Sequence, residues 1–168
     1  MSGASAEREI VREDADPPRY DLSVTLRLWH DDPRDLGGLL QQWGFEPRGG
    51  WQAGEPARAP NGRELGGLQE NSYAYVRLPL PDIGWFDDAI ERILDSLEPV
   101  RTELRALVDA GGRAELHAFW HFEGNSGGTL DWRLSRRLAD FGLDLSLDIY
   151  PPPRAQPLDS DATDEALA

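Results

Sequence analysis

At 168 residues the chain has the length of one domain, and 31 acidic against 17 basic side chains give it a net charge of −14. Such a charge repels phosphate backbones and anionic lipid, so nucleic acid and membranes are not the expected partners; a basic partner, or plain solubility, fits it. Cysteine is absent and every basic residue is Arg, which excludes disulfides, thiolate metal sites, Cys nucleophiles, Schiff-base lysines and a P-loop.

No apolar run approaches the roughly 18 residues of a membrane span. The acidic N-terminus has no apolar signal region, so the expected location is a bacterial-type cytoplasm. Residues 1–19 carry Glu7, Glu9, Glu13, Asp14 and Asp16 and close on Pro17-Pro18. Residues 151–168 open on three prolines and continue with Asp159, Asp161, Asp164 and Glu165. Both read as disordered tails around a single α+β domain over 20–150. That segment keeps 22 acids against 13 arginines, and it is long enough to bury roughly two-thirds of its unfolded surface.

The first element is a strand, Leu22–His30, with Leu22, Val24, Leu26 and Leu28 inward and Ser23, Thr25, Arg27 and Trp29 outward. A helix follows. Asp32 is its expected N-cap, with Pro33 at the first helical position and Asp35 near the positive end. Leu36, Leu39, Leu40 and Trp43 make its apolar stripe, and Gly44 stops it.

Residues 45–70 then read as a long Gly/Pro-rich connection, and a loop of that length is commonly functional or mobile. Trp51 is its expected anchor, packed beneath it. Arg48, Arg58 and Arg63 are candidates either for lining a pocket there or for simply solvating the loop. Ser72–Leu80 is the second strand, with Tyr73, Tyr75 and Arg77 outward.

From about Trp85 to Ala110 the apolar residues Phe86, Ile90, Ile93, Leu97, Val100, Leu104 and Leu107 recur at helical spacing. Pro99 predicts a kink or two abutting helices, and Gly111-Gly112 ends the run. The acids and arginines on its other face read as a solvated surface. Ala114–Phe122 is the third strand, with Glu115, His117, Phe119 and His121 outward. A third helix, capped by Asp131, runs to Gly142 and turns Leu134, Leu138 and Phe141 inward. Its Arg133, Arg136 and Arg137 should pair with nearby carboxylates. Leu143–Tyr150 is the last strand, with Asp144, Ser146, Asp148 and Tyr150 outward.

This β-α-β-α-β-α-β order predicts a four-stranded, mostly antiparallel sheet, a ferredoxin-like relative, with helices on one face. Its other face would collect Arg27, Trp29, Tyr73, Tyr75, Arg77, His117, Phe119, His121 and Tyr150, more rings than a solvated face requires.

Two Trp-His pairs, Trp29-His30 and Trp120-His121, suggest a duplicated motif. Strand phase opposes this, because Trp29 points outward and Trp120 inward. His117 and His121 lie about 13 Å apart along a strand, too far to share one metal. No metal site and no cofactor is expected. Asn125-Ser126-Gly127-Gly128 lacks the flanks of a nucleophile elbow and reads as a turn.

The helix ending Gly44-Phe45-Glu46-Pro47, then Trp51 and Gly54-Glu55, the run into Leu97-Glu98-Pro99, and Leu138-Ala139-Asp140-Phe141-Gly142 leading to Asp148-Ile149-Tyr150 together resemble the bacterial family called domain of unknown function 4279. The resemblance covers nearly all of 20–150; the ring-rich strand Ala114–Phe122 and the stretch Arg58–Gln69 depart from it. It implies no catalytic residues. Small acidic domains of this kind are comparable with toxin-neutralising immunity proteins, by analogy alone.

The expectation is a non-enzymatic module that binds a protein or peptide through the outward sheet face and the 45–70 loop, with Arg48, Trp51 and Glu55 as loop contacts. Two alternatives remain: a homodimer sealed through that same face, and a small hydrolase using His117 or His121 with a carboxylate.

Overall fold

A computed structural model describes residues 20–80, 85–122 and 129–150. Both expected tails and the Asn125–Gly128 turn lie outside the described residues. The strands are β1 Tyr20–His30, β2 Gly49–Trp51, β3 Pro56–Arg58, β4 Glu64–Leu68, β5 Ser72–Leu78, β6 Arg113–Phe122 and β7 Leu143–Tyr150. The helices are α1 Leu36–Gln42, α2 Phe86–Leu97, α3 Arg101–Asp109 and α4 Trp132–Phe141.

The main sheet has five strands in the order β2-β5-β1-β6-β7, not four, and β3-β4 form a separate two-stranded hairpin. Three of its pairings are antiparallel, while β6 and β7 run parallel through the α4 crossover. The fifth strand comes from the expected loop: Gly49-Gly50-Trp51 adds to the free edge of β5. Glycine alone fits there. A Cβ on Gly49 would stand 2.9 Å from the Tyr75 ring, and one on Gly50 would run into the Tyr73 carbonyl.

The inward alternation holds along the central strands. Val24, Leu26, Leu28, Ala74, Val76, Leu78, Ala114, Leu116, Ala118 and Trp120 are buried in one cluster with Leu36, Leu40, Ile90, Leu94, Leu104 and Phe141 from the helices. Trp120 stacks on Phe86 with ring centroids 4.8 Å apart and planes within 2°. Trp29 lies on the opposite face, so the two Trp-His pairs are not equivalent.

Pro99 does interrupt the long helical run: α2 and α3 abut through the 3-10 turn Glu98–Val100. Asp131 caps α4 by accepting from the Leu134 amide at 2.8 Å, and Gly142 closes the helix at φ 72, a conformation side-chained residues rarely adopt.

The α1 cap differs from expectation. The helix begins at Leu36 under Asp35, whose carboxylate accepts from the Gly38 amide at 2.7 Å. The reason is tertiary. The buried Ser72 hydroxyl donates to the Asp32 carbonyl at 2.8 Å and accepts from the Arg34 amide at 2.9 Å. Residues 32–34 are therefore held as a lead-in against β5 and do not enter the helix.

Candidate functional site

The outer face of the sheet is organised in cross-strand rows. One row is Trp51–Tyr73–Trp29–Arg113, on β2, β5, β1 and β6. Trp51 and Tyr73 have ring centroids 4.6 Å apart, Tyr73 and Trp29 5.2 Å, and the Arg113 guanidinium lies 4.4 Å over Trp29. Tyr75 stacks against Tyr73 from the next row at 5.8 Å. Burial within this stack raises the Tyr73 phenol pKa above its ordinary value, against the lowering pull of Arg27.

Behind the rings stands a charged row. Arg27 faces Glu115, which is nearly buried; Arg113 reaches the same carboxylate at 2.6 Å and Arg27 at 3.5 Å. Burial alone would raise the Glu115 pKa. The Ser146 hydroxyl and Arg113, both hydrogen-bonded to it, together with the charges of Arg113 and Arg27, outweigh that and hold it below the usual carboxylate range. The Arg27 Nε is buried without a hydrogen-bond partner among the described residues.

Further along, His117 Nε2 lies 3.1 Å from an Asp148 oxygen and Nδ1 3.2 Å from the Ser146 hydroxyl. An Asp-His-Ser sequence of contacts invites comparison with a hydrolase. The Ser146 proton is shared, however, with the Glu115 carboxylate as a second acceptor. The hydroxyl thus bridges two side chains on a regular strand.

Phe119, His121 and Tyr150 form a second ring cluster at the β6-β7 end, with centroids 4.5 to 5.2 Å apart. All nine residues expected on the outer face are on it, but their aromatic rings fall in two separate groups. Arg77 is exposed and Thr25 and His117 lie between the groups.

His30, expected inward, is buried and structural. Its Nδ1 accepts from the Asp32 amide at 3.0 Å, so Nε2–H donates to the Ala110 carbonyl at 3.1 Å. Among the described residues no three His, Asp or Glu side chains gather as metal ligands. No described helix is long and apolar enough to cross a membrane.

The expected loop contacts converge beside the aromatic row. Arg48, Trp51 and Glu55, with Asp35, Gln41, Gln52 and Tyr73, line an open groove of about 510 Å³ between α1 and β2. Neither His117 nor His121 lines it. Trp51 is not the buried anchor expected of it; 37% exposed, it stands on the edge strand with one side against Tyr73. Glu55 accepts from the Gln52 amide at 3.0 Å, and Ser72 accepts from the Ala53 amide at 3.1 Å, which fixes the rim.

Arg58 and Arg63 stand apart from the groove, Arg58 pairing with Glu64 across the β3-β4 hairpin at 3.7 Å. On α4, Arg137 pairs with Asp95 at 2.7 Å and Arg136 with Asp140 at 4.0 Å, as expected. Sequence reasoning missed Asp35, Gln41 and Gln52 as groove residues and Ser72 as its support. The signal for Ser72 was a lone polar side chain in phase with the inward set of β5.

No curated protein matches the chain, and no solved structure does. A family model described as a domain of unknown function matches residues 20–152, which takes in every described element. The chain belongs to that family, DUF4279.

Proposed function

We propose that the outer sheet face and the adjoining groove form a recognition surface for a protein or peptide. One observation carries this reading: the continuous stack Trp51–Tyr73–Trp29–Arg113 spans four strands and ends on a 37% exposed tryptophan at the mouth of the groove. Trp, Tyr and Arg are the side chains that concentrate contact energy at interfaces, because they bury large areas with few rotamers to freeze. Here they are already ordered by one another, which lowers the entropy cost of docking. No described helix covers them, since the helices contribute to the core on the opposite face.

The charge of −14 favours a basic partner. An immunity-type role in a bacterial cytoplasm, in which an acidic domain masks a basic toxin, is one form of this reading. The experiment is capture of the partner from the native host, followed by titration with the purified partner. The triple variant Trp29→Ser, Tyr75→Ser, Phe119→Ser should weaken binding by about 100-fold or more. Unchanged affinity for every captured partner would overturn the reading.

A further inference from the structure

We infer that the outer edge of β7 is a pairing surface for a second copy of this chain, joined antiparallel about Leu147 into a ten-stranded sheet. The two edges of the sheet differ. β2 ends one side with three residues, whereas β7 ends the other with eight, and no described strand covers its outer backbone groups. An edge of that length left open by the described strands is a template for another strand. Around it the apolar side chains are unusually exposed: Leu147 at 38%, Ile149 at 53%, and Trp132, at the start of α4, at 67%.

The occupant follows from the residues of β7 themselves. A two-fold seam pairs residues that point to the same face, so the pairing can be centred only on a residue opposite its own copy. Centring on Ser146 sets Asp144 against Asp148, and centring on Asp148 sets that acid against itself; like charges directly opposite destabilise a sheet. Centring on Leu147 avoids both while pairing all of residues 144–150. Leu147 then meets its copy and Leu145 meets Ile149. Asp144 faces Tyr150 and Asp148 faces Ser146, so no carboxylate stands directly opposite another across the seam. A centre further along in either direction shortens the overlap.

Asp144 keeps Arg113 at 3.5 Å within the same subunit, which offsets part of its charge, and Asp148 keeps its contact with His117 at 3.1 Å. The seam lies away from the Trp51–Tyr73–Trp29 stack, so recognition by that stack stands whether or not the chain pairs.

The absence of cysteine makes a crosslinking test unambiguous. Full-length protein should sediment at twice the chain mass, and Leu147→Arg, which places two charges at the two-fold axis, should raise the dimer dissociation constant about 100-fold. Under mild oxidation Leu147→Cys should form a disulfide-linked dimer, since opposed residues in an antiparallel pair stand about 4.5 to 5.5 Å apart at Cα, within reach of a disulfide. Ser146→Cys should not. Overturning results are wild-type protein that stays monomeric at high concentration, a dimer indifferent to Leu147→Arg, or crosslinking through Ser146→Cys in place of Leu147→Cys. A circular dichroism spectrum identical to wild type separates lost pairing from lost folding.

Discussion

The two faces of the five-stranded sheet share their strands and follow opposite rules. On the inner face of the central strands most residues are buried aliphatics interchangeable in kind: Leu26, Leu28, Val76 and Leu116 need only volume and phase. On the outer face each residue depends on a named neighbour. Glu115 needs Arg113, Arg27 and Ser146; Tyr73 lies between Trp51 and Trp29. The inner face makes the fold, and the outer face holds a particular arrangement of rings and charges. A mutation should therefore cost stability on one face and recognition on the other.

The largest effect tests the inner face. Trp120→Ala removes the partner of the Phe86 stack and leaves a cavity, and should cost about 3–5 kcal/mol in urea unfolding. The adjacent Phe119→Ala removes a half-buried ring from the other face and should cost about 1 kcal/mol or less. Equal costs would erase the distinction between the faces. Ser72→Ala comes next. It strands the Arg34 and Ala53 amides and the Asp32 carbonyl, for about 1–3 kcal/mol, and should speed amide exchange at Ala53 and along the groove rim first.

Much of this division was legible in the sequence. Alternation assigned the buried residues Val24, Leu26, Leu28, Leu116, Ala118 and Trp120 and placed all nine outer candidates on one face, because side-chain direction in a strand follows from parity alone. What parity cannot supply is which strands are neighbours, so the split of the outer rings into a Trp51–Tyr73–Trp29 stack and a Phe119–His121–Tyr150 cluster was not visible. β2 was hidden for a related reason. Gly49-Gly50 reads locally as loop, and only the approach of the Tyr75 ring and the Tyr73 carbonyl makes glycine a strand residue there. The N-cap moved from Asp32 to Asp35 because Ser72, 40 residues from Asp32, claims the intervening backbone.

The outer charges can be read by pH. Folding holds the Glu115 pKa low, so its contribution is complete above the ordinary carboxylate pKa and is lost as pH falls through the lower folded value. Folding holds the Tyr73 pKa high, so its contribution is complete below about pH 10 and is lost as pH rises through the folded value. Melting temperature against pH should therefore fall at both limbs. Glu115→Gln should lower the unfolding free energy on the plateau by about 1–2 kcal/mol and flatten the acid limb, and Tyr73→Phe should flatten the alkaline limb alone. An acid limb unchanged in Glu115→Gln would remove this carboxylate from the account.

The smallest effect on stability tests the comparison most sharply. Trp51 sits on a three-residue edge strand, 37% exposed, and contributes to no part of the inner core. Trp51→Ser should leave urea unfolding within about 0.5 kcal/mol of wild type. It nonetheless removes the end of the aromatic row and one wall of the groove, so binding of a captured partner should weaken about 100-fold. The aromatic near-ultraviolet spectrum should change with it, because Tyr73 loses a ring 4.6 Å away. A variant that destabilises the protein by several kcal/mol would make Trp51 a fold residue. One that binds its partner as wild type does would confine recognition to the β6-β7 rings. Only unchanged stability with lost binding assigns this tryptophan to recognition and leaves the fold to the opposite face.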